Sequence, residues 1–487
     1  FRCPFCHNAP LVLPEELAHD TDEEQVLSFL KKRVGVLDGV AITGGEPLLH
    51  SDIGAFLEKV RALGFKIKLD TNGSFPDRLM DIVRAGLVDR GAMDIKNSPE
   101  LYAKTAGVDR LDLDAIEHNI DLVKDKIGKE TKLLLVIKAD AYGHGSVELA
   151  KTFSEKADYF AVAEMNEAVE LRHAGIKKPI LILGYTSPSL FKTALENDIT
   201  LTMFQPEAIE KLSKEAVKTG KTAKIHFAVD TGMSRIGFAV TEKSADEAAE
   251  ATKLPGIFAE GIFSHFATAD GVDKRPSMEQ RAEYDKFIAM LKDRNVEIPI
   301  KHINNSAGIL EFDKYYDMAR EGIILYGLYP SKEVEEELGE RFKLRPAMEL
   351  ITHISHIKEL EANRGISYGF TYVTDHKMRV ATIPVGYADG YPRALSNKGE
   401  VLIHGKRCKI LGRVCMDQMM VDISDVPEAK IEDKVVLVGK DQNEFIPVEE
   451  LADAAYSFNY EFVCCLSKRI PRVYLKNGKI ISQTDYF

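Results

Sequence analysis

Short apolar runs that end in polar loops recur along the chain, in three successive textures. In the first, Asp38 to Ile42 runs into Thr43, Gly44, Gly45, Glu46 and Pro47, and Phe65 to Leu69 runs into Asp70, Thr71, Asn72 and Gly73. Both read as strands entering loops. Between them, Ser51 to Leu63 places Ile53, Phe56, Leu57, Val60 and Leu63 on one helical face. A third run, Gly91 to Met93, ends at Asp94, and the pattern stops short of a closed barrel.

The second texture opens with a helical stretch, Leu113 to Ile127. After it the pattern predicts eight strands: Lys132 to Ile137, Tyr159 to Ala163, Pro179 to Leu183, Ile199 to Met203, Ala223 to Val229, Phe258 to Phe263, Ile300 to Ile303, and Asp317 to Arg320. Helical patterns separate most of them, which is the (β/α)8 signature, with chemistry expected at the C-terminal strand ends. From about Lys343 the texture changes to alternating β runs with glycine turns, such as Arg379 to Val385, Glu400 to Ile403 and Lys434 to Val438. The expected fold class is α/β: a partial α/β segment (1–107), a (β/α)8 barrel (108–342) and a C-terminal all-β domain (343–487).

Composition narrows the partners. The 487 residues carry 64 basic and 76 acidic side chains, a net charge of −12, which argues against a phosphate-backbone partner. No apolar run approaches the roughly 20 residues of a membrane span. Six cysteines are too few for a disulfide scaffold, so a reducing, cytoplasmic setting is expected, with Cys408, Cys415, Cys464 and Cys465 as buried thiols. Cys3 and Cys6 form a CxxC. The chain opens at Phe1 rather than Met, so the recorded sequence is expected to begin inside a longer polypeptide.

The chemistry-bearing residues cluster at predicted strand ends. Lys138 follows the first barrel strand inside VIKADAYGHG, where partial desolvation would lower its pKa and suit a Schiff-base amine; a lysine snorkelling from a strand end is the alternative. The fifth strand runs into Asp230, Thr231, Gly232, Met233, Ser234 and Arg235, and the sixth ends at His265. The seventh ends at Asn304, Asn305 and Ser306, and the eighth delivers Arg320, Glu321 and Gly322. Singly, each fits a core hydrogen bond or an ion pair; together they line one rim suited to a phosphorylated, carboxylate-bearing ligand.

The strings VIKADAYGHG, DTGMSRIG, SHFATAD, NNSAG, ILYGLYP, VGYADGYPR and GRVCMDQ, in this order, resemble alanine racemase over about residues 108 to 487. The resemblance implies a pyridoxal 5'-phosphate enzyme acting on a small amino acid as a homodimer with shared active sites. It implies that Lys138 holds the cofactor as a Schiff base and acts as one base, with the partner subunit's Tyr387 as the other. It places Arg320 at the pyridine nitrogen, Arg235 near the substrate carboxylate, and Tyr142, Asn305, Ser306, Gly322, Ile323 and Tyr460 around the phosphate. His265 is implied to support Tyr387, and Met416 to shape the substrate pocket from the partner side. Where many members carry a carbamylated lysine, this chain has Ala228, so another anion or a different contact would have to hold Arg235. The alternatives within the class are a serine or broad-specificity racemase.

Residues 1 to about 107 resemble radical S-adenosylmethionine activating enzymes, particularly the activase of anaerobic ribonucleotide reductase, through CPFCHN, GGEP, DTNGS and MDIKNSPELYAKTAG. The resemblance implies Cys3 and Cys6 as iron-sulfur ligands of a [4Fe-4S] cluster, with S-adenosylmethionine at Gly44 to Pro47. Only two of the three motif cysteines are present, so the segment is expected to lack activity of its own, against the alternative of a functioning activase.

Overall fold

The computed structural model describes residues 23–43, 47–50, 52–71, 76–93 and 108–484. Cys3, Cys6 and Gly44 to Glu46 lie outside the described residues. The chain divides into two compact units, one built on Phe1–Gly107 and the other spanning Val108–Ser467 and Arg472–Thr484.

In the first unit, β1 (Gly39–Ile42), β2 (Lys66–Thr71) and β3 (Arg90–Met93) form a parallel sheet in that order. The helix Ile53–Ala62 turns Ile53, Leu57 and Val60 into a core with Leu30, Phe65, Ile67 and Leu69, as its spacing predicts.

The second unit begins with β4 (Val108–Asp112) and the helix Leu113–Ile127. Asp112 caps that helix, its side chain accepting from the backbone N-H of Asp114 at 2.9 Å and Ala115 at 3.3 Å. Gly128, at φ +78°, ends it. The eight barrel strands then appear where the apolar runs place them: β5 (Lys132–Val136), β6 (Tyr159–Val162), β7 (Ile180–Ile182), β8 (Thr200–Met203) and β9 (Ala223–Asp230). The short β10 (Phe238–Ala239) pairs outside the ring on β9, and β11 (Ile257–Phe263), β12 (Ile300–His302) and β13 (Met318–Glu321) follow. All neighbouring pairs are parallel, and consecutive buried residues along β5, β6 and β8 show strands covered on both faces. The seam between β12 and β13 is bridged by Asp317 N to Lys301 O and Arg320 N to Asn304 O, at 3.0 and 3.1 Å.

The C-terminal part is a β-rich domain that opens with β14 (Met348–His353). The sequence division places residues 108 to 112 with the barrel; the structure places them elsewhere. β4 pairs antiparallel with β14 and parallel with the strand Arg472–Lys476, so the β-domain sheet takes its first strand from ahead of the barrel. Five residues are too few to reveal a pairing partner hundreds of positions away.

Candidate active site

The barrel's C-terminal rim encloses a cavity of about 610 Å³. Lys138, Tyr142, Arg235, His265, Asn305, Ser306, Arg320, Gly322, Ile323 and Tyr460 all line it, so ten of the predicted residues meet in one place.

Lys138 follows β5 and opens a backbone feature that sequence reasoning misses. Ala139, Asp140, Ala141 and Tyr142 have φ between +51° and +54°, one turn of left-handed helix, in residues that carry a Cβ. Such a turn costs roughly 1–2 kcal/mol per residue, and tertiary contacts must hold it. Glu167 accepts from Ala139 N at 2.5 Å while its other oxygen takes Ala163 N at 2.7 Å. Asp140 accepts from Ser146 N at 3.0 Å, and the buried Arg472 donates through Nε to Gly143 O at 2.7 Å. Gly143 is required twice over: its φ is +80°, and a Cβ there would lie 2.3 Å from Val463 O. The turn directs Lys138 and Tyr142 toward the cavity, and burial, then the Arg235 charge, lowers the Lys138 pKa.

On β13, which pairs with β5, Arg320 is 2% exposed. Its Nη2 donates to Ser264 O at 2.8 Å and Ile303 O at 2.9 Å, and lies 3.2 Å from His265 Nδ1. His265 Nε2 in turn lies 3.5 Å from Asn305 Nδ2, so the ring is held between Arg320 and Asn305. Burial and Arg320 hold the His265 pKa well below its ordinary value, so the ring is neutral. Asn305 caps the short helix Ser306–Glu311 through Gly308 N at 2.9 Å, and Ser306 Oγ accepts from Gly322 N at 3.0 Å. The Tyr142 and Tyr460 rings lie 6.2 Å apart.

The cavity lining thus includes the hydroxyls of Tyr142, Ser306 and Tyr460 and a buried arginine; this donor set fits a phosphate, a ring nitrogen and, at Lys138, a reactive carbonyl. Pyridoxal phosphate has those groups. Ala228, 2% exposed, shares the wall with Arg235 and offers it only a methyl group.

Two predicted residues stand apart. Tyr387 and Met416 are 43% and 44% exposed on the β-domain and do not line this cavity. Their loops run side by side, with Tyr387 N on Cys415 O at 3.0 Å and Ala388 N on Met416 O at 2.9 Å. The expectation of four buried thiols is corrected: Cys408 is buried, Cys415 is partly so, and Cys464 and Cys465 are exposed. Cys464 lines the cavity, four residues beyond Tyr460 on one helix, so the i, i+4 spacing was the available signal.

Residues 111–330 match the family model for the alanine racemase N-terminal domain, and residues 347–474 match that for its C-terminal domain. A radical SAM superfamily model matches residues 1–138, the end of that match lying within the barrel unit. The chain is 43% identical over 378 residues to the alanine racemase of Clostridium perfringens, covering 77% of this chain and 97% of that one. It is 44% identical over 367 residues to the alanine racemase of Methanococcus maripaludis, covering 75% and 97%. Among solved structures, alanine racemase from Clostridium difficile 630 superposes with a TM-score of 0.75 at 42% identity, covering 78% of this chain and 98% of that chain. The Bacillus anthracis enzyme with bound L-Ala-P gives 0.74 at 38% identity, covering 78% and 97%. With a barrel, a β-domain and a lysine-centred rim cavity all in the expected order, the chain belongs to the alanine racemase family.

Proposed function

We propose that the barrel unit and its β-domain racemise alanine with pyridoxal phosphate, using Lys138 as the base on one face of the substrate and the partner subunit's Tyr387 on the other. The convergence of Lys138, Arg320, His265 and three hydroxyls on one cavity carries this reading. Bound at Lys138, pyridoxal phosphate supplies the electron sink that stabilises negative charge at the substrate Cα.

The chain's own residues do the rest. Tyr142, Ser306, Tyr460 and the backbone at Gly322 and Ile323 would hold the phosphate, and Asn305 positions that corner through its helix cap. Arg320 would face the ring nitrogen as a permanent donor, which discourages a proton there and limits the lifetime of the charge at Cα. Burial, then the Arg235 charge, lowers the Lys138 pKa, which favours its Nζ as a group that takes a proton. Arg235 has no carboxylate partner among the described residues, which leaves it for the substrate carboxylate.

Two bases on opposite faces are needed, and the cavity of one chain supplies Lys138 without Tyr387. Exposure of Tyr387 and Met416 supports their use by a second copy of the chain, in a homodimer with shared sites. His265, held beside Arg320 on the cavity wall, would support the partner subunit's Tyr387 there. Replacing Lys138 by Ala is expected to abolish both the visible absorbance of the bound cofactor and alanine racemisation; retention of both refutes the assignment.

For residues 1–107, the radical SAM match supports cluster binding at Cys3 and Cys6 with S-adenosylmethionine at Gly44 to Pro47. Iron and sulfide analysis of anaerobically prepared protein tests it, with stoichiometric iron expected on that reading and none if the segment is inert.

A further inference from the structure

Beneath the rim, a chain of polar side chains crosses the barrel interior from strand to strand. Arg320 Nη1 on β13 lies 2.7 Å from His302 Nδ1 on β12, His302 Nε2 lies 2.9 Å from His226 Nδ1 on β9, and His226 Nε2 lies 3.5 Å from Glu260 Oε2 on β11. Both imidazoles are 0% exposed, and the last link is an ion-pair distance and not a hydrogen bond, since His226 Nε2 has no hydrogen-bond partner among the described residues.

The protons in this chain have one arrangement. Arg320 can only donate, so His302 Nδ1 accepts and its proton sits on Nε2. That proton points at His226 Nδ1, which must therefore accept, and the His226 proton sits on Nε2 facing the carboxylate. A second proton on either ring would put two donors face to face. Burial, with the nearby Arg320 charge, also holds both histidines below their ordinary pKa. Against its burial, His226, then Tyr159 and Lys224, hold the Glu260 carboxyl below its ordinary pKa, and Thr200 Oγ1 lies 3.5 Å from it.

The backbone is built for this connection. The β11 register against β9 shifts between Ala259 and Gly261, so Glu260 is the extra residue of a β-bulge, a device that re-aims a side chain. At Gly261 a Cβ would lie 2.4 Å from the His226 ring, so only glycine admits the imidazole. No carboxylate touches the buried Arg320 directly among the described residues.

We propose that Glu260 is the counter-charge of Arg320, delivered through the neutral imidazoles of His226 and His302, and that it is a positioning residue tempering the positive field at the cofactor's ring nitrogen. The kinetic part of this inference rests on the proposed use of Arg320; the proton arrangement does not.

The test has two arms. In wild-type protein labelled with 15N at histidine, and assigned with single His→Asn variants, both rings are expected to stay neutral with the proton on Nε2 from about pH 6 to about pH 8. A ring protonated at Nδ1 or at both nitrogens overturns the proposal, and this arm needs no functional reading. In the second arm, Glu260→Gln removes the charge and keeps the shape. It is expected to shift the visible absorption of the bound cofactor and to move the acidic limb of kcat/KM down by about 0.5 pH unit, because the cavity becomes more positive. The groups facing Glu260, namely His226, Tyr159 and Lys224, are unchanged in that variant. Gly261→Ala leaves the charge and displaces His226, and is expected to reproduce both shifts. An unchanged Glu260→Gln profile overturns the proposal, as does a wild-type profile in Gly261→Ala beside a shifted one in Glu260→Gln, which would mean a field acting through space.

Discussion

Glu321, the last residue of β13, offers a stability test that needs no substrate. Its neighbour Arg320 points into the barrel, so strand alternation sends Glu321 outward beneath the helix Leu113–Ile127, within the field of Asp121 and Lys124. It is 0% exposed, and neither carboxyl oxygen has a hydrogen-bond partner among the described residues. Burial, with Asp121 adding to it, pushes the carboxyl from 4.5 up to about 8. The folded protein therefore keeps a proton that the unfolded chain gives up. Stability from this group is fully present below pH 4.5 and is lost as pH rises toward about 8. At about 1.4 kcal/mol for each pH unit the loss has a ceiling of ~5 kcal/mol, and water reaching the ionised group lowers that. Glu321→Gln cannot ionise, and any cost of its buried amide is the same at every pH. Paired urea unfolding, followed by far-UV circular dichroism at about pH 5 and about pH 8, isolates the effect. The advantage of the glutamine variant over wild type is expected to grow by about 1–3 kcal/mol between the two. An advantage that stays constant, or shrinks as pH rises, refutes the buried neutral carboxyl.

Lys138→Ala and Tyr387→Phe proteins should each be nearly inactive, yet mixing them with subunit exchange should restore about a quarter of the sites, since half the dimers are mixed and each mixed dimer keeps one intact site. No recovery despite demonstrated exchange would place both bases in one chain. Deleting residues 1–107 should leave turnover per folded racemase within about twofold, because the remaining chain matches nearly the whole length of its relatives. Loss of turnover with the fold intact would show that the first unit serves catalysis.

The barrel strands were legible because each is an apolar run bounded by polar loops, and β5 to β13 fall within a residue or two of those runs except for the two-residue β10. The lysine, arginine and histidine of the site were legible as strand-end residues. The left-handed turn after Lys138 was not: an Ala-Asp-Ala-Tyr stretch favours a right-handed helix, and only distant partners, Glu167 and Arg472, override that preference. Cys464 on the cavity wall and the path from Glu260 to Arg320 were hidden for a related reason, since both depend on which strands and helices become neighbours.

The placement of β4 has a consequence for synthesis. Its parallel partner, Arg472–Lys476, leaves the ribosome about 360 residues later, which at 5–20 residues per second is roughly 20 to 70 s. Both edges of β4 stay open until β14 emerges, about 240 residues on, and the edge that takes Arg472–Lys476 stays open for the rest of the interval while the barrel closes its own ring. Three of its five residues, Asp109, Arg110 and Asp112, are charged, and charge is what keeps a waiting strand from pairing with a strand of another nascent chain. The β-domain sheet is thus completed after the barrel ring, and a ribosome stalled ahead of Arg472 would release a closed ring without the Arg472 contact at Gly143, beside a sheet that lacks one strand.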